Sequence, residues 1–180
     1  IVTGIRRCGK STLLDMMRDY LAQQGVPAER LLTFKMESLE YAGITDYLTF
    51  YRMVRERIDG IDHPYLFFDE LQNVEGWEKA VNSLRVDLPC DIYVTGSNAF
   101  LLSSELATLI SGRYVEVKMH PLTFGEYLDF RSIDAVAAEG LGERVELVSK
   151  TGDRLNSNTV LEQYITYGGM PFLAHDEPRR

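Results

Sequence analysis

The sequence has only two cysteines in 180 residues, too few for a disulfide framework, and that usage predicts a reducing, cytoplasmic setting. It has no apolar run near the roughly 18 residues of a membrane span. It lacks the basic n-region and apolar h-region of a secretory leader. Basic residues are in the minority: Lys and Arg total 19 against 27 Asp and Glu, a formal net charge of −8. Nucleic-acid backbones are bound by an excess of Lys and Arg, so this balance argues against a broad nucleic-acid surface. The three histidines, His63, His120 and His175, share no metal-ligand spacing. No Gly-x-Ser-x-Gly elbow and no Cys/His pairing occurs. What is present is 45% hydrophobic and 26% charged residues, the composition of a packed domain rather than of a disordered or low-complexity chain. The length allows one full domain and the start of a second.

The chain opens on Ile1-Val2-Thr3-Gly4, without Met, as if on the tail of a strand. That opening predicts an excised domain with residues upstream. Strand and helix patterns then alternate. Apolar residues at Leu13, Leu14, Met17 and Leu21 mark one helical face over 11–24, which Gly25 and Pro27 end. A strand is expected over 31–35. Thr45 is the expected N-cap of a helix carrying Tyr47, Leu48, Tyr51, Val54 and Ile58, closed by Gly60. The continuous apolar run 65–68 reads as a buried strand. Helices over 77–86, 101–110 and 124–130 and strands over 90–94 and 114–119 complete the pattern. Five strands separated by helices predict an open, mostly parallel α/β sheet, with ligands at the strand C-terminal ends. The core is expected over 1–131. The remainder, 132–180, reads as a linker, with 150–158 its polar part, and then the start of a helical subdomain near 159–167.

Gly4-Ile5-Arg6-Arg7-Cys8-Gly9-Lys10-Ser11 matches G-x-x-x-x-G-K-[ST] in full, between a strand stub and an amphipathic helix. The glycines permit a tight turn whose N–H groups can face phosphate oxygens, and the helix start adds the positive end of its dipole. Lys10 then reaches the β- and γ-phosphates, Ser11 ligates Mg²⁺, and Thr12 touches the α-phosphate. Gly4, Arg7, Cys8, Gly9, Lys10, Ser11 and Thr12 form the expected nucleotide-binding set. The Arg6 and Arg7 side chains sit in the variable part of the loop and are read as pairing with acids or a partner surface. Cys8 reads as a variable loop residue.

The 65–68 run ends in Asp69 and Glu70. A phosphate loop needs a second Mg²⁺ anchor, and Asp69 is placed to supply it. Glu70, one residue on, is placed to accept a proton from an attacking water. Ser97 and Asn98 follow another strand, on the same sheet edge, as candidates to bond the γ-phosphate or the water. Turn chemistry alone also accounts for them. Arg113 is either a neutraliser of charge on a transferred phosphoryl group or a helix-terminal cation. Trp77 and the Tyr and Phe stripes read as core, and Cys90 as a buried strand residue.

These residues resemble the bacterial and archaeal ATPase domains of the AAA superfamily that usually precede a C-terminal domain of unknown function. The resemblance rests on 3–12, on Phe68-Asp69-Glu70-Leu71-Gln72-Asn73-Val74, on Gly76-Trp77-Glu78, on Thr95-Gly96-Ser97-Asn98, on Ser111-Gly112-Arg113-Tyr114, on 122–127 and on Tyr167-Gly168-Gly169-Met170-Pro171. It implies ATP and Mg²⁺ as ligands and a sheet in which the Asp69 strand is not adjacent to the Gly4 strand. It places Ser97 and Asn98 at the position called sensor 1 and Arg113 where related ATPases carry an arginine finger, which in oligomers acts on a neighbour's nucleotide. It makes Pro171 an adenine contact. It implies homo-oligomer or protein partners reached through a C-terminal domain beyond Arg180. Two other readings stay open at this point. One is a nucleotide-binding switch with little turnover. The other is a small-molecule kinase, although 132–153 offers only Arg144 and Lys150 where an arginine-rich lid is needed. A GTPase is disfavoured because no Asn-Lys-x-Asp motif occurs.

Overall fold

The computed structural model describes residues 1–97, 114–137 and 145–171. By internal contact the chain divides into two compact units, 1–6 with 10–119, and 7–9 with 120–180.

The first unit is built on a five-stranded sheet in the order β2-β3-β4-β1-β5. Its strands are β1 (Val2–Gly4), β2 (Leu31–Lys35), β3 (Tyr65–Asp69), β4 (Asp91–Gly96) and β5 (Val117–Met119), and every described pairing is parallel. Helices α1 (Lys10–Gln23), α2 (Tyr47–Arg57) and α3 (Trp77–Asp87) intervene. Parallel strands need such crossovers, and the run Leu66-Phe67-Phe68 is apolar on both faces because both are covered. Leu66 and Phe68 face one side and join Phe34, Phe50, Val54, Leu71, Trp77 and Leu84 in the main core. There Phe68 meets Phe34 at 5.1 Å and Phe50 edge-on at 5.0 Å. Phe67 faces the other side and stacks on Tyr93 at 4.8 Å.

The parallel registers put Phe34 beside Phe68, Phe68 beside Val94, and Thr3 beside Gly96. The C-terminal ends of β1, β3 and β4 therefore share one sheet edge. β4 lies between β1 and β3, so the Asp69 strand is not adjacent to the Gly4 strand, as the resemblance implies. The helix expected to start at Thr45 instead has Asp46 as its N-cap: one carboxylate oxygen accepts from the Leu48 and Thr49 amides. An anionic acceptor there also meets the positive end of the helix dipole, which Thr45 could not do. The Thr49 hydroxyl, donating to the same side chain, together with those amides holds the Asp46 carboxyl below the usual carboxylate range. Cys90 is half-buried just before β4, not within it, and burial pushes its thiol up. The helix expected over 101–110 lies outside the described residues.

The second unit has its own core of Tyr127, Leu128, Ile133, Leu147 and Val160. Helix α4 (Phe124–Phe130) starts at a capping box, in which Thr123 and Glu126 bond each other's backbone N–H. A three-stranded antiparallel sheet follows, β6 (Ile133–Ala137), β7 (Val145–Ser149) and β8 (Arg154–Leu155), and then helix α5 (Ser157–Tyr167). The stretch read as a linker, 150–158, thus forms the β7–β8 turn, β8 and the start of α5. Its polarity is turn chemistry: Gly152 has φ +86°, and the hydroxyls of Ser149 and Thr151 bond Asp153. The units divide after Met119 rather than near 131, because Leu122, Phe124, Tyr127 and Leu128 pack with Ile133, Leu147 and Val160.

Gly169 closes this unit. The Leu122 N–H donates to its carbonyl at 2.6 Å, and a Cβ on Gly169 would stand 2.0 Å from the Leu122 oxygen. The same oxygen accepts from the Tyr164 hydroxyl at 2.9 Å. Gly169→Ala is expected to lower stability by at least about 3 kcal/mol, because the obstacle is backbone and cannot rotate away. A denaturant melt of the intact protein checks this, and an unchanged midpoint would contradict the close approach.

Candidate nucleotide site

The site grows from strand ends and one turn. β1 ends at Gly4, with φ +148°, and the loop reaches α1 through Gly9, at φ +97°, and Arg7, at φ +66°. Such angles are cheap for glycine and costly for arginine, so the loop shape is imposed by its surroundings. Lys10 opens α1 and is only 3% exposed; its ammonium donates to the Ile5 carbonyl at 2.9 Å. A buried ammonium is tolerated only with acceptors, and here the loop's own backbone supplies one. Cys8 is buried and Thr12 is exposed.

Ser11 and Asp69 meet directly. The Ser11 hydroxyl donates to Asp69 Oδ1 at 3.0 Å. Two hard oxygen donors converge here, from α1 and from the end of β3. This fits Mg²⁺, which takes one or two protein oxygens and completes its shell with water and phosphate. Among the described residues no group of three or more His, Cys, Asp or Glu side chains gathers into an all-protein cage.

Thr95, given no role of its own by the sequence, joins the two acids. It is fully buried on β4; its hydroxyl donates to Asp69 Oδ1 at 2.5 Å and accepts from the Glu70 amide at 3.1 Å. The β3–β4 register puts Val94 beside Phe68 and so carries Thr95 level with Asp69. Only that pairing identifies it, and no local motif does. Glu70 itself is left-handed, φ +54° and ψ 45°, where β3 turns into a short 3-10 segment, Leu71–Asn73. This uncommon conformation for a non-glycine residue swings its side chain off the strand. The Ser97 hydroxyl donates to Glu70 Oε2 at 3.1 Å, and the Gln72 amide donates to the same oxygen.

Lys10, Ser11, Asp69, Glu70 and Ser97 are therefore placed on one sheet edge of the first unit, with Lys10 bonded to the loop and the other four linked by Thr95 hydrogen bonds or by direct ones. Pro171 belongs to the second unit, two residues after Gly169. Asn98 and Arg113 lie outside the described residues. Sequence reasoning missed Thr95 and Gln72. The signal for Gln72 was its place two residues after Glu70, in a motif otherwise read for its acids.

Residues 1–128 match the AAA domain family. Over 180 residues the chain is 43% identical to an uncharacterized protein of Haemophilus influenzae, covering 99% of this chain and 41% of that protein. Over 176 residues it is 28% identical to the uncharacterized protein MJ1544 of Methanocaldococcus jannaschii, covering 95% of this chain and 35% of that protein. The chain thus spans about two fifths or less of the length of these curated relatives. Among solved structures, the crystal structure of Cdc6p from Pyrobaculum aerophilum is similar at 11% identity and a TM-score of 0.49, over 71% of this chain and 40% of that one.

Thr95→Val keeps the shape of the side chain and removes the hydroxyl. It leaves the Glu70 amide without its acceptor and Asp69 one donor short, so a loss of about 1–3 kcal/mol is expected. A chemical-denaturation comparison measures it, and a loss below about 0.5 kcal/mol would mean that the hydroxyl does not tie the two strand ends together.

Proposed function

The chain belongs to the AAA domain family and holds an ATPase-like nucleotide-binding domain, and from that premise we propose that it binds ATP with Mg²⁺ and hydrolyses the γ-phosphate bond, coupling nucleotide state to conformation. One observation carries the reading: the Glu70 side chain leaves the end of β3 in a left-handed turn and is held by Ser97, beside the Ser11–Asp69 oxygen pair. Bound Mg²⁺ would supply electrostatic stabilisation of the phosphate charge, with Ser11 and Asp69 holding it. Gly4 and the loop 7–9 carry the backbone of the phosphate cradle, with Thr12 at its helical end. Lys10 exchanges the Ile5 carbonyl for phosphate oxygens. Glu70 accepts the proton of the attacking water, and Ser97 with Asn98 orients that water or the γ-phosphate. Arg113 neutralises charge on the phosphoryl group, within the chain or on a neighbour's nucleotide. Pro171 contacts the base.

The acidic balance and the absence, among the described residues, of a helix long and apolar enough to cross a membrane support nucleotide and protein partners over nucleic acid or lipid. A homo-oligomer, or a protein bound through a further domain, would receive the conformational signal. A cytoplasmic ATP pool supplies the substrate.

Phosphate release by the intact protein tests the reading. Glu70→Gln is expected to lower kcat by about 10²–10⁴-fold and to leave ATP affinity near wild type, because the general base acts only in the chemical step. Lys10→Ala is expected to weaken ATP binding itself. A Glu70→Gln protein as fast as wild type would remove Glu70 as base. A wild type that binds ATP yet turns over no faster than buffer would leave a nucleotide-dependent switch.

A further inference from the structure

Among the described residues one buried side-chain nitrogen or oxygen has no hydrogen-bond partner: Gln72 Oε1. Its amide partner atom Nε2 is engaged, donating to Glu70 Oε2. The orientation is forced. Turning the amide over would aim its oxygen at the Glu70 carboxylate, oxygen against oxygen. Gln72 therefore supplies a donor to Glu70 at the expense of an orphaned acceptor, and an orphaned buried acceptor destabilises a fold. A side chain kept only for packing would have no reason to carry that amide, since a methionine or leucine fills similar space with no polar atom to bury.

The geometry of Glu70 shows what the donor accomplishes. The carboxylate hangs from a left-handed residue at the end of β3, with rotatable bonds between that backbone and its oxygens. Two donors converge on the one oxygen Oε2: Ser97 from the end of β4 and Gln72 from the 3-10 segment two residues on. Two bonds from different elements to one oxygen restrict the rotation of the carboxylate and leave the other oxygen, Oε1, outside both bonds. A single bond from Ser97 would let the group swivel about it.

We propose that Gln72 is a positioning residue for hydrolysis: its amide fixes Glu70 so that Oε1 receives the proton of the attacking water. This rests on the ATPase reading above. Gln72 acts through Glu70, so its effect falls on turnover rather than on binding.

The test compares wild type, Glu70→Gln, Gln72→Met and Gln72→Leu in the intact protein, by steady-state phosphate release, ATP affinity and thermal melting. The two Gln72 variants are expected to lose about 10- to 100-fold in kcat, the scale of a misplaced catalytic group, with KM and ATP affinity little changed. Their melting temperatures are expected to equal or exceed wild type, because the orphaned oxygen is gone. Slower turnover in a protein of equal or greater stability is a pattern that a structural glutamine cannot produce. Turnover equal to wild type in both variants would overturn the proposal and leave the ATPase reading intact. A fall in melting temperature that parallels the lost activity, or failure of both variants to fold, would make Gln72 a structural member and overturn it as well. A wild type without phosphate release would overturn the reading and this inference together, and Glu70→Gln at the wild-type rate would remove the group that Gln72 is said to aim.

Discussion

One carboxylate oxygen organises the sheet edge. Asp69 Oδ1 accepts from the Ser11 hydroxyl on α1 and from the Thr95 hydroxyl on β4, so three elements are joined at one atom. The two bonds are possible because β3 and β4 run parallel in a register that brings Thr95 level with Asp69, and because α1 begins where the loop after β1 ends. The first interaction with water that folding removes from Asp69 is thus replaced twice, as a carboxylate nine-tenths buried requires. Thr95 extends the arrangement by accepting from the Glu70 amide, which holds the left-handed turn that presents Glu70.

The chemistry follows from what this atom is shared among. In the hydrogen-bonded state Ser11 and Asp69 face each other at hydrogen-bond distance. Those two oxygens would hold a divalent cation, which takes few protein oxygens and fills the rest of its shell with water and phosphate. The Lys10 ammonium is desolvated and held by a neutral acceptor, the Ile5 carbonyl, and an anionic phosphate would compete for it. Glu70 is held separately by Ser97 and Gln72, and that separation would suit a group that acts only after substrate is in place.

Much of this was legible in the chain. The phosphate loop needs glycine at positions where only glycine turns cheaply, and a lysine and a serine at the helix start, so spacing alone exposed Gly4, Gly9, Lys10 and Ser11. The apolar run ending in two acids exposed β3, Asp69 and Glu70. That β1 and β3 are not adjacent came from family resemblance, and that β4 stands between them only from the structure, since no local pattern encodes which strand pairs with which. Thr95 and Gln72 stayed hidden for related reasons. A buried threonine on a strand looks like any β-former until its neighbour is known, and a glutamine beside two acids looks solvent-facing until its amide is seen to hold Glu70. Asp46 was overlooked in favour of Thr45 because both are good caps and only the backbone decides. The second unit misled because hairpin turns and linkers share their residues, and Gly152, Thr151 and Asp153 serve either.

On this reading the Ser11–Asp69 pair is a metal position and not simply a strand-to-helix tie. It is tested most directly by calorimetric titration of the intact protein with a non-hydrolysable ATP analogue, in Mg²⁺ and in EDTA, for wild type and Asp69→Asn. Mg²⁺ is expected to tighten binding to wild type, and that gain to disappear in Asp69→Asn, which still folds because the amide oxygen can accept from Ser11 and Thr95. Wild-type affinity that is the same with and without Mg²⁺, or a gain that survives in Asp69→Asn, would contradict it.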